Sequence, residues 1–255
     1  MRTNRAGKFL VFVAFVILGV FAAGIVMAAD PVSIPKVGIE ITPSKSPKDV
    51  AASIQILLIL TVLTIAPGIL LLTTSFTRIV IVLSFLRQAL GSQQIPPNQV
   101  LIGLALFMTF FIMKPVGTEM YEKAWKPYVE NKMTFQKAAD EGSKPLRQFM
   151  FKQTREKDLA LFIYLSKTAR PKNQNDVPTS VLIPAFIISE LKTAFTVGFL
   201  IYIPFLIIDM IVASTLMSMG MLMLPPVMIS LPFKLLLFIL VDGWHLISRA
   251  LIVSF

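Results

Sequence analysis

The sequence predicts an all-α membrane protein. Of its 255 residues, 55% are hydrophobic and only 15% charged, a composition outside the range of soluble domains. No charge interrupts the stretch between Asp49 and Arg78, which is long enough to cross a bilayer as one helix. The last third is equally apolar but carries isolated charges that hydrocarbon tolerates only when they are paired or facing protein. The expected layout is about four long hydrophobic helices in two hairpins with a small water-exposed helical domain between them.

The chain begins with Arg2, Arg5 and Lys8 ahead of an apolar run, Phe9 to Ala22, and then small residues up to Val26-Met27-Ala28. That order predicts a cleaved signal peptide over 1–28. An uncleaved anchor helix is the alternative, disfavoured because the run is short for a span. Residues 29–50 are rich in Pro, Ser and Lys without apolar periodicity and predict an irregular extracytoplasmic segment.

Residues 51–113 form the first predicted hairpin. Its first helix covers Ile54 to Leu72, with a kink expected at Pro67-Gly68. A second apolar run, Ile79 to Leu86, ends at Arg87, Gly91 to Pro97 reads as a turn, and Asn98 stands where a helix cap is needed. Arg78 and Arg87 have no acidic neighbours in sequence, which predicts a cytoplasmic turn. The run Val100 to Met113 is apolar but short, so it is expected to pack against protein.

Residues 114–180 change to mixed charge with apolar positions at helical spacing, as at Leu146, Phe149 and Met150. Ser143 and Pro145 predict a helix start, Leu159, Phe162, Ile163 and Leu165 a second apolar face, and Arg170-Pro171 its break. With an exported N-terminus, two crossings make this domain periplasmic. Its many Lys and Arg do not oppose that, because long loops obey the positive-inside rule poorly.

Residues 181–255 form the second predicted hairpin, turning at Pro225-Pro226 and interrupted by Glu190, Lys192, Asp209, Lys234 and Asp242. Folded there, the hairpin brings Glu190 and Lys234 broadly into register, which predicts a salt bridge between them within or between subunits. A proton relay through Glu190, Asp209 or Asp242 is the competing reading, and it lacks the chain of partners a relay needs. His245, one turn from Asp242, and its neighbour Trp244 read as interfacial residues.

Met217, Met219, Met221, Met223 and Met228 crowd around Gly220 and the double proline. Methionine is flexible and polarizable, so such a cluster can be a deformable gasket contributed by several subunits, or simply the filling of an irregular core.

Several chemistries are excluded. The chain has no cysteine and one histidine, so disulfides, thiolate nucleophiles and Cys-based metal sites are absent. No phosphate-binding loop, His-Glu-x-x-His or Gly-x-Ser-x-Gly motif occurs. The net charge of +10 comes with interleaved acids and without an RNA-binding signature, which predicts basic loops and no nucleic acid. No cofactor is expected, and the chain does not read as an enzyme.

The stretches Leu182-Ile183-Pro184-Ala185-Phe186, Ser189-Glu190-Leu191-Lys192-Thr193-Ala194-Phe195 and Pro204-Phe205-Leu206-Ile207-Ile208-Asp209 resemble the FliP/SctR family of type III secretion export-gate proteins. So do Leu231-Pro232-Phe233-Lys234, Val241-Asp242-Gly243-Trp244, and upstream Thr73 to Arg78, Arg87 to Gly91 and Pro96 to Val100. The likeness covers nearly the whole mature chain. The signal peptide and the Trp125 to Tyr128 region resemble the flagellar branch.

The resemblance implies several copies, five by the family's pattern, joined with FliQ and FliR in a helical, pore-forming oligomer beside FlhA and FlhB. In the bacterial inner membrane, within the flagellar basal body, that gate would pass unfolded flagellar export substrates. It also implies that much of the apolar sequence packs in subunit contacts above the bilayer plane instead of against membrane lipid. By position it makes Glu190 and Lys234 an inter-subunit ion pair and puts Met219, Met221, Leu222 and Met223 in the pore constriction. Leu222 stands where many relatives carry a further Met, which keeps the seal apolar but stiffens it. Lys192, Asp209 and Asp242 remain as other intramembrane charges. A small-solute or ion transporter built on the intramembrane charges is the alternative, and it would call for inverted repeats that the sequence lacks.

Overall fold

The computed structural model describes residues 47–92, 95–167, 171–221 and 223–255. The chain divides into two units, Met1–Ile54 and Gln55–Phe255. The expected signal peptide, 1–28, lies outside the described residues, as does the expected irregular segment up to residue 46. From Pro47 onward the backbone is already helical.

Every regular element among the described residues is a helix: α1 Pro47–Leu72, α2 Phe76–Ala89, α3 Asn98–Met120, α4 Lys126–Val129, α5 Phe135–Gln153, α6 Glu156–Leu165, α7 Thr179–Ser218, α8 Pro226–Leu240 and α9 Gly243–Val253. A π-helical turn, Tyr121–Trp125, joins α3 to α4, and a short 3₁₀ turn, Gln174–Asp176, precedes α7. Three of the described stretches are long and apolar enough to cross a membrane: Ile54–Leu72, Asn98–Val129 and Thr179–Ser218. The pair α8 and α9, bent by 64°, passes the same test together. The fold is that of an all-α membrane protein.

Helix α2 is the centre of the packing. Its Ile79, Val82, Leu83 and Leu86 recur at helical spacing and are fully buried, against Leu101 and Ala105 of α3 and Ala194 and Phe205 of α7. Gly198 permits the close approach of α7, since a Cβ there would stand 2.7 Å from the Phe85 ring. A second cluster joins Met150 of α5 to Leu182 and Phe186 of α7, with Leu159, Phe162 and Ile163 of α6 packed on it. No part of the apolar window of α1 is buried.

Four local expectations are corrected. The helix that was to end near Met113 runs on to Met120 and, through the π turn, to Val129. Lys114 is exposed there and Pro115 sits inside the helix, so neither residue stops it. Ser143 and Pro145 do not start a helix: α5 begins at Phe135, Pro145 is buried inside it, and the Ser143 hydroxyl donates back to the Asp140 carbonyl. Helix α6 ends at Leu165, ahead of Arg170-Pro171. Position Asn98 is the first helical residue of α3, not its cap, which is Pro97.

The second hairpin turns where the sequence predicts. Helix α7 ends in a Schellman motif: Gly220 at φ +74° lets Met221 N–H donate to the Leu216 carbonyl and Gly220 N–H to that of Met217. Pro225 and Pro226 then open α8. Between α8 and α9, Asp242 takes the left-handed conformation at φ +49°, which a short polar side chain tolerates. Gly243 follows because the bend presses its backbone onto Phe238, where a Cβ would meet the ring at 2.2 Å.

Candidate functional site

Four of the five interrupting charges of the last third are held by α7 and α8, and the structure sorts them by partner. Glu190 is fully buried and Arg78 is 2% exposed. The Arg78 Nε donates to Glu190 Oε2 at 2.9 Å and its Nη2 to Oε1, a fork on a carboxylate. Nη2 also donates to Gln153 Oε1 at 2.9 Å, and Nη1 to the Ser254 carbonyl at 2.7 Å and hydroxyl at 3.1 Å. Five donors thus find five acceptors, which is what burial of a guanidinium requires.

Lys234, 2% exposed, donates through Nζ to Asp209 Oδ2 at 2.6 Å, with Asp209 22% exposed. The Ser230 hydroxyl, one turn before Lys234, donates to the other carboxylate oxygen. Gly91, at φ +77°, lies over this pair, its would-be Cβ 3.7 Å from Nζ. Within one chain, therefore, the expected pairing of Glu190 with Lys234 is not made: each has a different partner. An inter-subunit pair between them requires both to exchange partners.

A third cluster went unpredicted. The Ser189 hydroxyl donates to Asp158 Oδ2 at 2.6 Å and accepts the Arg155 backbone N–H at 3.0 Å, while Arg155 Nη2 donates to the same Asp158 oxygen at 2.5 Å. Burial pushes the Asp158 carboxyl up, but the bonds from Ser189 and Arg155 and the nearby positive charges outweigh it and hold it below its ordinary value. Ser189 and Glu190 are consecutive, so adjacent side chains of α7 grip the α5–α6 corner, one directly and one through Arg78.

The remaining predicted residues are open to the surroundings. Lys192 is exposed on α7, and Asp242 and His245 are exposed at the α8–α9 bend. Trp244 meets Phe238 edge to face at 5.4 Å. At the hairpin tip Met219 and Met221 are exposed and Met223 is 98% so, which removes the core-filling reading for these methionines within one chain. Leu222 lies outside the described residues. Among the described residues no cluster of His, Cys, Asp or Glu could hold a metal ion.

Residues 59–251 match the family model described as the FliP family. The chain is 58% identical over 217 residues to the flagellar biosynthetic protein FliP of Bacillus subtilis, covering 85% of this chain and 98% of that one. It is 55% identical over 203 residues to the protein of the same name from Pectobacterium carotovorum, covering 80% and 79%. With that from Borreliella burgdorferi the identity is 54% over 210 residues, covering 81% and 83%. The matched region takes in Arg78, Glu190, Asp209, Lys234 and the methionine tip.

Proposed function

This chain belongs to the FliP family, and from that premise we propose that it is a core membrane subunit of the flagellar protein-export gate. Several copies, five by the family's pattern, assemble with FliQ and FliR into the channel through which unfolded flagellar substrates cross the inner membrane, next to FlhA and FlhB. The mixed-charge helices of 114–180 stand on the periplasmic side, and the leader 1–28 directs the N-terminus there.

The observation that carries this reading is how much apolar surface one chain leaves uncovered. Helix α1 buries nothing of its apolar window, Phe107, Phe110 and Phe111 stand out from α3, and Phe195 and Phe199 from α7. Patches of this extent mark lipid or protein contacts. Met219, Met221 and Met223 are exposed at the α7–α8 turn, where copies arranged around an axis would bring their tips together. The buried charges support the same reading, since in each pair the ions are neutralised by fixed partners. A transporter needs carboxylates that can change partner or proton during a cycle.

Native mass spectrometry of the chain with and without co-expressed FliQ and FliR tests the proposal. A discrete multi-copy complex that recruits both is expected. A monomer or dimer indifferent to them, with coupled solute uptake in vesicles, would replace the gate with the transporter.

A further inference from the structure

We propose that Ser254 and Phe255, the segment following α9, form a latch that fastens the water-exposed α5–α6 corner to the apolar bundle and couples the two. The Phe255 ring lies under the Arg78 guanidinium, 3.9 Å from ring centroid to Cζ, and stacks on Phe149 of α5 at 6.2 Å and 19°. Its backbone oxygen accepts from Lys152 Nζ at 2.6 Å and from Gln153 Nε2 at 2.9 Å, both on the last turn of α5. Ser254 takes both donors of Arg78 Nη1. One dipeptide therefore touches α5 through rings and backbone and the α2–α7 pair through Arg78.

The fastening has a direction. Helix α9 follows α8 through the close-packed Asp242–Gly243 bend, and α8 in turn is tied to α7 by Lys234 and Asp209. Helix α6, by contrast, has no fully buried residue and is only packed on the second cluster through Leu159, Phe162 and Ile163. A force or partner acting on α5 and α6 thus reaches α7 directly through Ser189 and Arg78, and α9 and α8 by the separate route through Phe255. Coupling of this kind is reciprocal: whatever loosens one side of the latch must loosen the other.

Hydrogen–deuterium exchange on the full chain in detergent tests the latch. Phe255→Ala should raise exchange about tenfold or more at the end of α5, around Phe149 to Gln153, which corresponds to local opening made easier by one factor of ten. Gln153→Ala, from the other side, should raise exchange in α9. Both should leave the α2 core, Ile79 to Leu86, at its original protection. Phe255→Leu keeps apolar volume but loses the ring contacts, and should fall between wild type and Phe255→Ala, which guards against a variant that merely misfolds. Unchanged exchange in α5 for Phe255→Ala, unchanged exchange in α9 for Gln153→Ala, or a rise spread evenly through the α2 core would each overturn the proposal.

Discussion

Arg78 and Glu190, 112 positions apart in the chain, meet as a forked ion pair sealed from solvent. Removing one partner of such a pair leaves a buried charge and costs about 3–5 kcal/mol. Glu190→Ala should therefore lower the thermal stability of the purified chain by that amount. A loss below about 1 kcal/mol would mean that water reaches the stranded guanidinium. Combining it with Arg78→Met should restore only part of the loss, because Gln153 and Ser254 then lack their donors.

How much of this was legible in sequence follows from the range of each interaction. The α7–α8 hairpin, its turn at Pro225-Pro226 and the helical class are local consequences of periodicity and turn chemistry, and they were readable. That Glu190 and Lys234 are buried and paired was readable too, from the cost of a lone charge among apolar residues. The identity of their partners within one chain was not. Helical spacing fixes which face a residue occupies, not which of several helices lies opposite, and the sequence neighbours of Arg78 point only to a cytoplasmic turn. The Asp158–Ser189 clasp left no signal at all, since Asp158 sits in an ordinary mixed-charge stretch. Ser143-x-Pro145 imitates a helix start, while the structure accommodates Pro145 inside α5.

The Asp209–Lys234 pair is asymmetric, and its variants should be too. Asp209→Ala strands a lysine that is almost wholly buried, whereas Lys234→Ala strands a carboxylate that retains partial solvent and the Ser230 hydroxyl. Unfolding in detergent should show the first losing about 3–5 kcal/mol and the second about 1–3 kcal/mol. The reverse order would place water at Lys234.

Gly243→Ala drives a methyl into the Phe238 ring, so that the ring or the α8–α9 bend must shift. Overpacking of this kind costs about 1–3 kcal/mol. Phe238→Leu in the same chain should recover part of the melting temperature. No recovery would mean that the strain lies in the backbone and not in the ring.

Asp158 supplies a pH dependence. Its carboxyl is held below the ordinary value of 3.8, so the fold favours the ionised form. The stabilisation is complete above that ordinary value and is lost as pH falls through the lower, folded one. Melting temperatures of wild type and Asp158→Asn should differ at pH 5, and the gap should narrow progressively as pH falls below 3.8. A gap that does not change with pH at all would assign the effect to packing instead of charge.

The methionine tip is tested in the assembled complex. Met221→Gly with Met223→Gly removes two flexible apolar side chains from each copy, and ion leakage across membranes carrying the complex should rise several-fold over wild type. Unchanged conductance would place the seal elsewhere.

The forty residues of α7, at a rise of about 1.5 Å each, make a rod roughly 60 Å long. The Ser189–Glu190 clasp holds it about a quarter of the way from its start, the core packs along it as far as Phe205, and the methionine turn sits at its far end. Some 20 Å of rod beyond Phe205 converts a tilt of about 10° into a swing of roughly 3.5 Å at the tip, close to the width of a methyl group. An aperture ringed by such tips would open or shut by one side chain's thickness with no helix unwinding and no buried charge leaving its partner.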